Sequence, residues 1–452
     1  MIESLNISQL IALKPQGGKL FLVGGAVRDI LLQKPGKDYD LVCDFDTRKI
    51  ARAFADSQNG DFYLLDHERN TSRVILPGPN DTRVFYDFAR MHGNDLTEDL
   101  TARDFTINAM AIDLDFPDHI IDPLGGASDL KDQLLRACSE SAFSDDPVRV
   151  IRGVRYAVDL SLTMMPGTLN LLKAAVPQLH KISQERNRDE FLKVLDTPKP
   201  DIGLELLDRL GILDQLGIAS GEGVLSAAQS CGALARLFSE LEGIGTKESL
   251  QTLQSSSFLL RLGRFKEPLL SYLLASNSSG RTLRTLDLLG IVLNHFQADV
   301  FEKSLLQLAL SNDEKNHLIS LFDHQEDLAN WTVLPDRRKI FKIYKKAPVD
   351  LCFLWLAELL ARPAAENSQD LWLNALAKCE PLVEAWADQP QWLAPIPLLN
   401  GKDLMIQFDI PPGRRLGQLL EALVEEQAAG TVTTREEALQ WVESHITPKN
   451  LL

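Results

Sequence analysis

The chain lacks several features that would assign it to a specialised class of protein. Its 452 residues contain five cysteines, an odd number, and none of them forms a CxxC pair. This pattern argues against a disulfide framework and a cysteine-rich zinc site, and it predicts a protein of the reducing cytoplasm. No apolar run is long enough to span a membrane. The N-terminal stretch has no basic region, so it does not resemble a signal peptide. No fixed-period repeat stands out.

Positive charge is also scarce. There are 47 Lys and Arg residues against 63 Asp and Glu residues, which gives a net charge of −16. Phosphate binding depends on Lys and Arg, so this balance argues weakly against a nucleic-acid partner. A basic surface can nevertheless lie on an acidic protein. The segment RRKIFKIYKK (337–346) is either a solvated helix face or a strip that follows a phosphate backbone.

The hydrophobic pattern changes near residue 140. Before it, short β-rich runs are separated by helical stretches and turns. These runs are KLFLVGG, DYDLVCDF, DFYLLD, SRVILPG, TRVFYDFA and TINAMAIDL. From about residue 142 onward, apolar residues recur at helical spacing. NSSG (277–280) and LPD (334–336) are candidate breaks. The length suits two to four domains, and the pattern predicts an α/β segment followed by a long helical one.

Two carboxylates, Asp38 and Asp40, are separated by one residue in the apolar run KDYDLV. In a strand these side chains point to the same face. Parallel carboxylates repel each other, and a cation that neutralises them relieves the repulsion. Mg²⁺ is commonly bound by one or two carboxylates together with substrate phosphates. The pair therefore suits metal-assisted phosphoryl or nucleotidyl transfer, although DxD alone also occurs in turns and on edge strands.

The residues before this pair strengthen the interpretation. LVGGAVRDILL reads as a strand, a two-glycine turn and a helix. Gly24 and Gly25 let the backbone approach a ligand closely, and the N-terminus of the helix favours an anion such as a triphosphate. Arg28 adds a charge for the same phosphates. Glycines are routine in strand-to-helix turns, so the specific signal is GGxVRD followed ten residues later by DxD.

These blocks resemble the class II tRNA nucleotidyltransferase and bacterial poly(A) polymerase family, within the polymerase-β-like nucleotidyltransferases. The resemblance continues in order along most of residues 20–195. Its further blocks are EDLTARDFTINAMAIDL (98–114), IIDPLGGASDL (120–130), DDPVRVIRGVRYAVDL (145–160) and ISQERNRDEFLKVL (182–195). The segment 397–442 resembles the tail of bacterial CCA-adding enzymes, with NGKDLM as a turn, PPG as a helix start and then a long helix.

The resemblance implies an α+β fold. A polymerase-β-like nucleotidyltransferase head with a small mixed sheet (1–137) would be followed by an all-α neck (138–200), body (201–333) and tail (334–452). It implies an enzyme that adds C, A or both to the 3′ end of tRNA, using CTP, ATP and Mg²⁺ and releasing pyrophosphate. Asp38 and Asp40 would be the catalytic metal ligands. Gly24, Gly25, Arg28, Arg103 and Asn108 would bind the nucleotide, whereas Asp104 could equally be a structural partner.

The block DDPVRVIRGVRY carries Asp146, Arg149, Arg152 and Arg155 at every third position. On one helix this row would spiral, so only two or three side chains could converge, most naturally Asp146 with Arg149. A carboxylate accepts from the amino group of cytosine or adenine, and a guanidinium donates to ring acceptors. In the family such a pair selects C or A without a nucleic-acid template. Without the neighbouring motifs, a surface ion-pair ladder would be the simpler interpretation.

Two departures from the family pattern bear on specificity. CCA-adding enzymes usually carry a flexible loop before the RRDFTINA block, and it acts in the switch from CTP to ATP. Here only MHGNDLT (91–97) separates VFYDFAR from EDLTARDFT. A missing loop marks the family members that stop after two cytidines. Ala102 also replaces the first Arg of the family's RRDF, whereas Asp145, in place of a Glu, is a conservative change.

Several alternatives remain open from the sequence. A poly(A) polymerase shares the chemistry, although the acidic charge and the tail segment argue against it. An idle RNA-binding homologue would have no reason to keep both carboxylates. An HD-type phosphohydrolase is discounted because DHER (66–69) and FDHQ (322–325) are isolated. Contacts with the tRNA backbone are predicted for seven basic residues: Arg337, Arg338, Lys342, Lys345, Lys346, Arg414 and Arg415.

Overall fold

The computed structural model describes residues 6–34, 36–67, 70–78, 83–244, 253–325, 328, 348–363, 368–388 and 395–446. The chain divides into two compact units, Met1–Glu190 and Phe191–Leu452. The finer boundaries at residues 137, 200 and 333 remain predictions. None of the helices among the described residues is long and apolar enough to cross a membrane. All five cysteines are free thiols.

The first unit is built on a mixed seven-stranded sheet, as the sequence predicts. The strands are β1 (Leu20–Val23), β2 (Asp38–Cys43), β3 (Asp61–Asp66), β4 (Thr71–Pro77), β5 (Arg83–Arg90), β6 (Ala111–Asp113) and β7 (Ile120–Ile121). Their order in the sheet is β3-β4-β5-β2-β1-β6-β7. β2 runs parallel to β5, and the other neighbours are antiparallel. Two short strands, β8 (Leu134–Leu135) and β9 (Thr163–Met164), form a separate parallel pair.

Nine helices accompany these strands among the described residues, and the last of them crosses the boundary between the units. They are α1 (Ile7–Leu13), α2 (Gly25–Leu31), α3 (Thr47–Gln58), α4 (Leu96–Thr101), α5 (Gly126–Lys131), α6 (Ala142–Asp145), α7 (Arg149–Asp159), α8 (Pro166–Ala175) and α9 (Gln184–Leu195). Two 3₁₀ turns cover Thr106–Asn108 and Val176–Lys181.

The pleat of β2 separates the core from the exposed carboxylates. Tyr39 is buried and lies 5.1 Å, centroid to centroid, from Tyr86 of β5. Phe54 of α3 packs edge-on against Tyr86 at 5.0 Å. Since successive side chains on a strand alternate in direction, burying Tyr39 turns Asp38 and Asp40 together to the opposite, exposed face.

The predicted helix over DDPVRVIRGVRY begins later than the sequence suggested. α7 starts at Arg149, and Asp146 is extended, with φ −147° and ψ 91°. A proline disfavours the helical conformation at the residue before it, and Pro147 follows Asp146 directly. The prediction that Asp146 shares a helix with the three arginines is therefore wrong.

The second unit is helical throughout its described residues, as predicted. Its helices are α10 (Pro200–Arg209), α11 (Ile212–Leu216), α12 (Val224–Glu242), α13 (Leu253–Leu262), α14 (Lys266–Leu273), α15 (Leu283–Leu293), α16 (Ala298–Gln307), α17 (Asn312–His324), α18 (Pro348–Ala361), α19 (Gln369–Asp388), α20 (Gly401–Phe408), α21 (Arg414–Ala429) and α22 (Arg435–Ile446), with a 3₁₀ turn at Gly263–Phe265. The long helix α12 packs against α10, α15 and α18.

The last three helices, α20 to α22, enclose a small core of their own that includes Leu404, Leu423 and Val442. The predicted turn at NGKDLM is instead the start of α20. The Asn400 side chain accepts hydrogen bonds from the backbone N–H groups of Lys402 and Asp403, and the Asp403 side chain accepts from the Asn400 N–H. This reciprocal cap satisfies backbone donors that the helix itself leaves unpaired.

Candidate active site

The carboxylate pair lies at the centre of the sheet. Asp38 and Asp40 are exposed residues of β2, which is bordered by β1 and β5. Protein atoms surround the Asp40 carboxylate even though solvent reaches it. This partial loss of water raises the pKa of Asp40, Arg103 opposes the shift, and the charges of Asp87 and Asp38 add to it. The site therefore favours a cation beside Asp40.

Gly24 provides the space next to Asp40. It follows the last residue of β1 and precedes α2, with φ +75°. A Cβ atom at this position would lie 3.3 Å from Asp40 Oδ2 and 3.1 Å from Arg103 Nη1. Both the positive φ and this close approach favour glycine. At Gly25, a Cβ atom would lie 3.4 Å from Arg28 Nη2, so the two-glycine turn brings Asp40, Arg103 and Arg28 to one place.

A third carboxylate, Asp87 of β5, was missed by the sequence analysis. It is the register partner of Asp40, and both oxygens accept hydrogen bonds from Arg73 of β4 at 2.7 Å. The bidentate pair partly neutralises Asp87 next to the other two carboxylates. The only feature of the sequence that could have pointed to Asp87 was a single carboxylate within the predicted strand TRVFYDFA. That this strand lies parallel to β2 could not be read from the pattern.

Arg28 and Arg103 are each held by neighbouring side chains. Arg28 Nη1 donates to Asn108 Oδ1 at 2.7 Å, and its Nε donates to Asp29 at 2.9 Å. Arg103 Nη2 donates to Asp99 Oδ2 at 2.9 Å, across one turn of chain. Both guanidiniums are therefore fixed in direction before any ligand arrives, which reduces the entropy lost on binding.

Behind Arg28, a buried hydrogen-bond network links the glycine turn to α7. Asn108 Nδ2 donates to Asp104 Oδ1 at 3.1 Å, and Arg152 Nε donates to Asp104 Oδ2 at 2.8 Å. Burial alone would raise the pKa of Asp104, but the charge of Arg152 and hydrogen bonds from Asn108, Arg152 and the Phe105 N–H outweigh it and lower the pKa. Asp104 is therefore the structural partner that the sequence analysis left as an alternative.

The first two residues of the predicted selecting row, Asp146 and Arg149, have separate partners. Arg186 of α9 donates to Asp146 Oδ2 at 2.8 Å, whereas Asp146 Oδ1 is buried without a hydrogen-bond donor among the described residues. Arg149 Nη1 donates to the Ala142 carbonyl at 3.0 Å. Asp146 and Arg149 thus form no ion-pair ladder with each other. Arg186 was missed because it lies 40 residues away in sequence.

The other two arginines of α7 face inward. Arg152 binds Asp104 and donates to the Tyr156 hydroxyl at 3.0 Å. Arg155 Nε lies 3.1 Å from Glu190 Oε2. Their main contacts are with protein groups, so in this structure they support the site from behind.

The link between β5 and α4 is short and ordered. The His92 N–H donates to Asp99 Oδ1 at 2.9 Å, and the Asn94 N–H donates to Glu98 Oε2 at 2.8 Å. Asp95 caps α4 by accepting from the Glu98 N–H at 3.0 Å. These side-chain contacts with the backbone hold the short segment against the first turn of α4.

The predicted tRNA contacts are separated from this site along the chain. Arg414 and Arg415 are exposed at the start of α21 in the second unit. The other candidates, residues 337, 338, 342, 345 and 346, lie outside the described residues.

A mixed sheet that carries paired carboxylates on a central strand, beside a glycine turn and fixed arginines, defines a nucleotidyltransferase head. A model described as the poly(A) polymerase head domain matches residues 20–136. A second, described as a probable RNA- and SrmB-binding site of polymerase A, matches residues 161–218.

Similar proteins cover nearly the whole chain. A CC-adding tRNA nucleotidyltransferase of Geobacter sulfurreducens is 31% identical over 96% of this chain and 94% of its own. An A-adding tRNA nucleotidyltransferase of Deinococcus radiodurans is 30% identical over 93% and 94%. The structure of a Thermotoga maritima CCA-adding enzyme complexed with tRNA has a TM-score of 0.58 at 21% identity, over 98% of this chain and 96% of that one. The chain belongs to the tRNA nucleotidyltransferase and poly(A) polymerase family.

Proposed function

We propose that this enzyme adds nucleotides to the 3′ end of tRNA without a template, using CTP, and that it stops after two cytidines. The general activity is supported by the nearly full-length similarity to CC- and A-adding tRNA nucleotidyltransferases. The restriction to CC is supported by one observation, the short ordered link between β5 and α4. These two relatives are about equally similar to the chain and do not by themselves distinguish C from A addition.

A divalent metal, which we propose to be Mg²⁺, fits the carboxylates of Asp38 and Asp40. The two side chains share the exposed face of β2, and the raised pKa of Asp40 reflects an environment that favours a positive partner. Bound there, the metal would polarise the α-phosphate and lower the pKa of the attacking 3′-hydroxyl. Asp87 is paired with Arg73, but its charge still adds to the raised pKa of Asp40, which a cation at the site would offset.

The glycine turn and two arginines would bind the triphosphate. Gly24 leaves space beside Asp40 Oδ2, and Gly25 begins the first turn of α2. Arg28 and Arg103 would donate charge-assisted hydrogen bonds to phosphate oxygens. Asn108 and Asp99 hold these guanidiniums in place. Pyrophosphate would leave on this side as the tRNA 3′-hydroxyl attacks from the other.

Base selection would depend on Asp146 and Arg149. The Oδ1 atom of Asp146 finds no donor among the described residues, so it is an acceptor suited to the amino group of cytosine. Arg186 holds the other oxygen and thereby fixes the carboxylate. Arg149 would donate to the ring acceptors of cytosine. UTP presents a carbonyl where CTP presents the amino group, so it would be rejected by two facing acceptors.

The CC restriction predicts a sharp product pattern. Transcripts that end before CCA, after C and after CC would be offered CTP, ATP or both, and the products resolved at single-nucleotide length. We expect extension by two cytidines and then a stop, with no adenosine added to the CC transcript. A full CCA end would contradict the restriction but keep the family activity. A long ladder of adenosines would instead indicate a poly(A) polymerase.

Arg414 and Arg415 are the described candidates for tRNA contact. Replacing both with Ala should weaken tRNA binding. It should also make the plot of log affinity against log salt concentration less steep by about 1–2, because fewer phosphate contacts release fewer counterions on binding. The KM for CTP should be unchanged. A matched control is Lys303→Ala, an exposed lysine of α16 that lies outside the matched RNA-binding segment 161–218. An unchanged salt slope for the double variant would contradict this assignment. A cytoplasmic location and contacts from the basic segment 337–346 remain predictions.

A further inference from the structure

Three potential metal ligands meet inside the second unit, and none belongs to a motif that the sequence singled out. They are Asp287 of α15, His317 of α17 and Asp350 of α18. One ligand atom from each lies within 4.8 Å of the other two. Asp287 and Asp350 are fully buried, and the His317 side chain is 14% exposed. The cluster therefore joins three helices through polar groups in an otherwise apolar interior.

Only one oxygen of each carboxylate in this cluster has a hydrogen-bond partner in another side chain's nitrogen or hydroxyl group among the described residues. His317 Nε2 lies 3.0 Å from Asp287 Oδ1, and the Tyr272 hydroxyl donates to Asp350 Oδ2 at 2.8 Å. Asp287 Oδ2 and Asp350 Oδ1 are buried with no hydrogen-bond donor among the described residues. Buried carboxylate oxygens almost always have a partner. The two carboxyl groups also lie within hydrogen-bond reach of each other, so either a shared proton or a metal cation between them would satisfy both oxygens.

The donor set indicates which cation would fit. One imidazole nitrogen and two carboxylate oxygens are typical ligands of Zn²⁺, with bonds of about 2.0–2.2 Å. Such bonds in a tetrahedral arrangement separate the donor atoms by about 3.3 Å, close to the 3.0 Å between His317 and Asp287. Mg²⁺ and Ca²⁺ prefer oxygen ligands alone and more of them. Tyr272 would orient Asp350 from behind, as partners of metal ligands commonly do.

We propose that Asp287, His317 and Asp350 form a zinc-type site that ties α15, α17 and α18 together, with a water molecule as the fourth tetrahedral ligand. The site shares no residue with the carboxylate pair of the first unit, so its metal would stabilise the helical unit and take no part in nucleotide transfer. Three ligands from three helices make the bound state sensitive to the packing of all three.

The test uses the full-length chain without a polyhistidine tag. This protein carries Asp40→Asn, which disables the carboxylate pair of the first unit, and it is the parent for the other substitutions. The protein is stripped with chelator, given ZnCl₂ and dialysed. Bound metal is measured by mass spectrometry and stability by thermal unfolding. We expect one zinc per chain and a higher Tm with zinc. Cobalt should substitute and give visible absorption bands. Adding Asp287→Asn or His317→Gln should abolish both effects, and Tyr272→Phe should weaken zinc binding about 10–100-fold.

A proton shared by the two carboxylates is the rival occupant. Burial and the charge of Asp350 raise the pKa of Asp287 well above its usual value, which favours a proton on the metal-free cluster. In that case the parent would bind no zinc, and Asp287→Asn would leave the Tm unchanged or higher, because a neutral amide replaces a neutral acid. Asp196→Asn is the matched control. Asp196 accepts from Thr285 outside the cluster, and this variant should keep its zinc. No zinc in the parent, or zinc retained by Asp287→Asn, would overturn the proposal.

Discussion

Replacing Asp40 with Asn should lower the rate of nucleotide addition by about 10²–10³-fold, the size of effect that follows loss of a group stabilising transition-state charge. The same change should raise the Tm of the metal-free protein. Burial, together with Asp87 and Asp38, raises the pKa of Asp40 in the folded protein. A carboxylate with a raised pKa favours folding while it is protonated, and that stability is lost as the pH rises through the folded-state pKa. Above that pKa the ionised group therefore opposes folding, and the neutral Asn does not.

Initial rates of nucleotide addition check the first half of this prediction, and thermal unfolding with and without MgCl₂ checks the second. Because a cation that binds only the folded state stabilises it, MgCl₂ should raise the Tm of the wild type and do little for Asp40→Asn. Asp61→Asn is the control, since Asp61 is an exposed carboxylate on the edge strand β3 of the same sheet. A metal-free Tm that falls in Asp40→Asn would show that this carboxylate is not under electrostatic strain. Near-normal activity would rule out its proposed role.

Replacing Asp104 with Ala should cost about 3 kcal/mol of folding free energy and raise the KM for CTP. Breaking a buried ion pair typically costs about 3–5 kcal/mol, and the lower end applies because the Arg152 side chain is 31% exposed. Without Asp104, Asn108 loses the partner that fixes the amide accepting from Arg28. Arg28 would then bind the triphosphate with a larger loss of entropy.

Chemical denaturation gives the stability change, and initial rates at varied CTP give the KM. Asp129→Asn serves as the matched control, because Asp129 is also a buried carboxylate and accepts from Arg136 and Thr106 without joining the network. That variant should lose stability and keep its KM for CTP. If Asp104→Ala were less stable but bound CTP normally, the network would be purely structural.

Part of the site follows from local rules that a single sequence carries. Asp38 and Asp40 share a face because their spacing matches the period of a strand, and Tyr39 between them is apolar enough to be buried. The turn places Gly24 at a positive φ, which glycine adopts readily because it has no side chain. The run of strands before residue 140 and helices after it likewise follows from hydrophobic period. The resemblance to the family depended on several motifs occurring in a fixed order, and that order can be read directly from a single sequence.

Other features depended on contacts between residues far apart in the chain. The bond of Asp146 to Arg186 spans 40 residues, and the bond of Arg28 to Asn108 spans 80. Asp87 lies beside Asp40 because β5 pairs parallel with β2, and hydrophobic periodicity does not reveal which strands pair. The sequence row of Asp146 and three arginines suggested one helix, but Pro147 disfavours the helical conformation at Asp146, which lies outside α7.

The sequence by itself determined the fold class, the carboxylate pair and the glycine turn, because each arises from interactions within a few residues. Only the tertiary structure decided which arginines lie beside the glycine turn and which pair with protein groups behind it, and it alone brought Asp287, His317 and Asp350 together. Those outcomes depend on how separate strands and helices pack. Packing is set by the fit of many distant side chains at once, and a local pattern does not encode it.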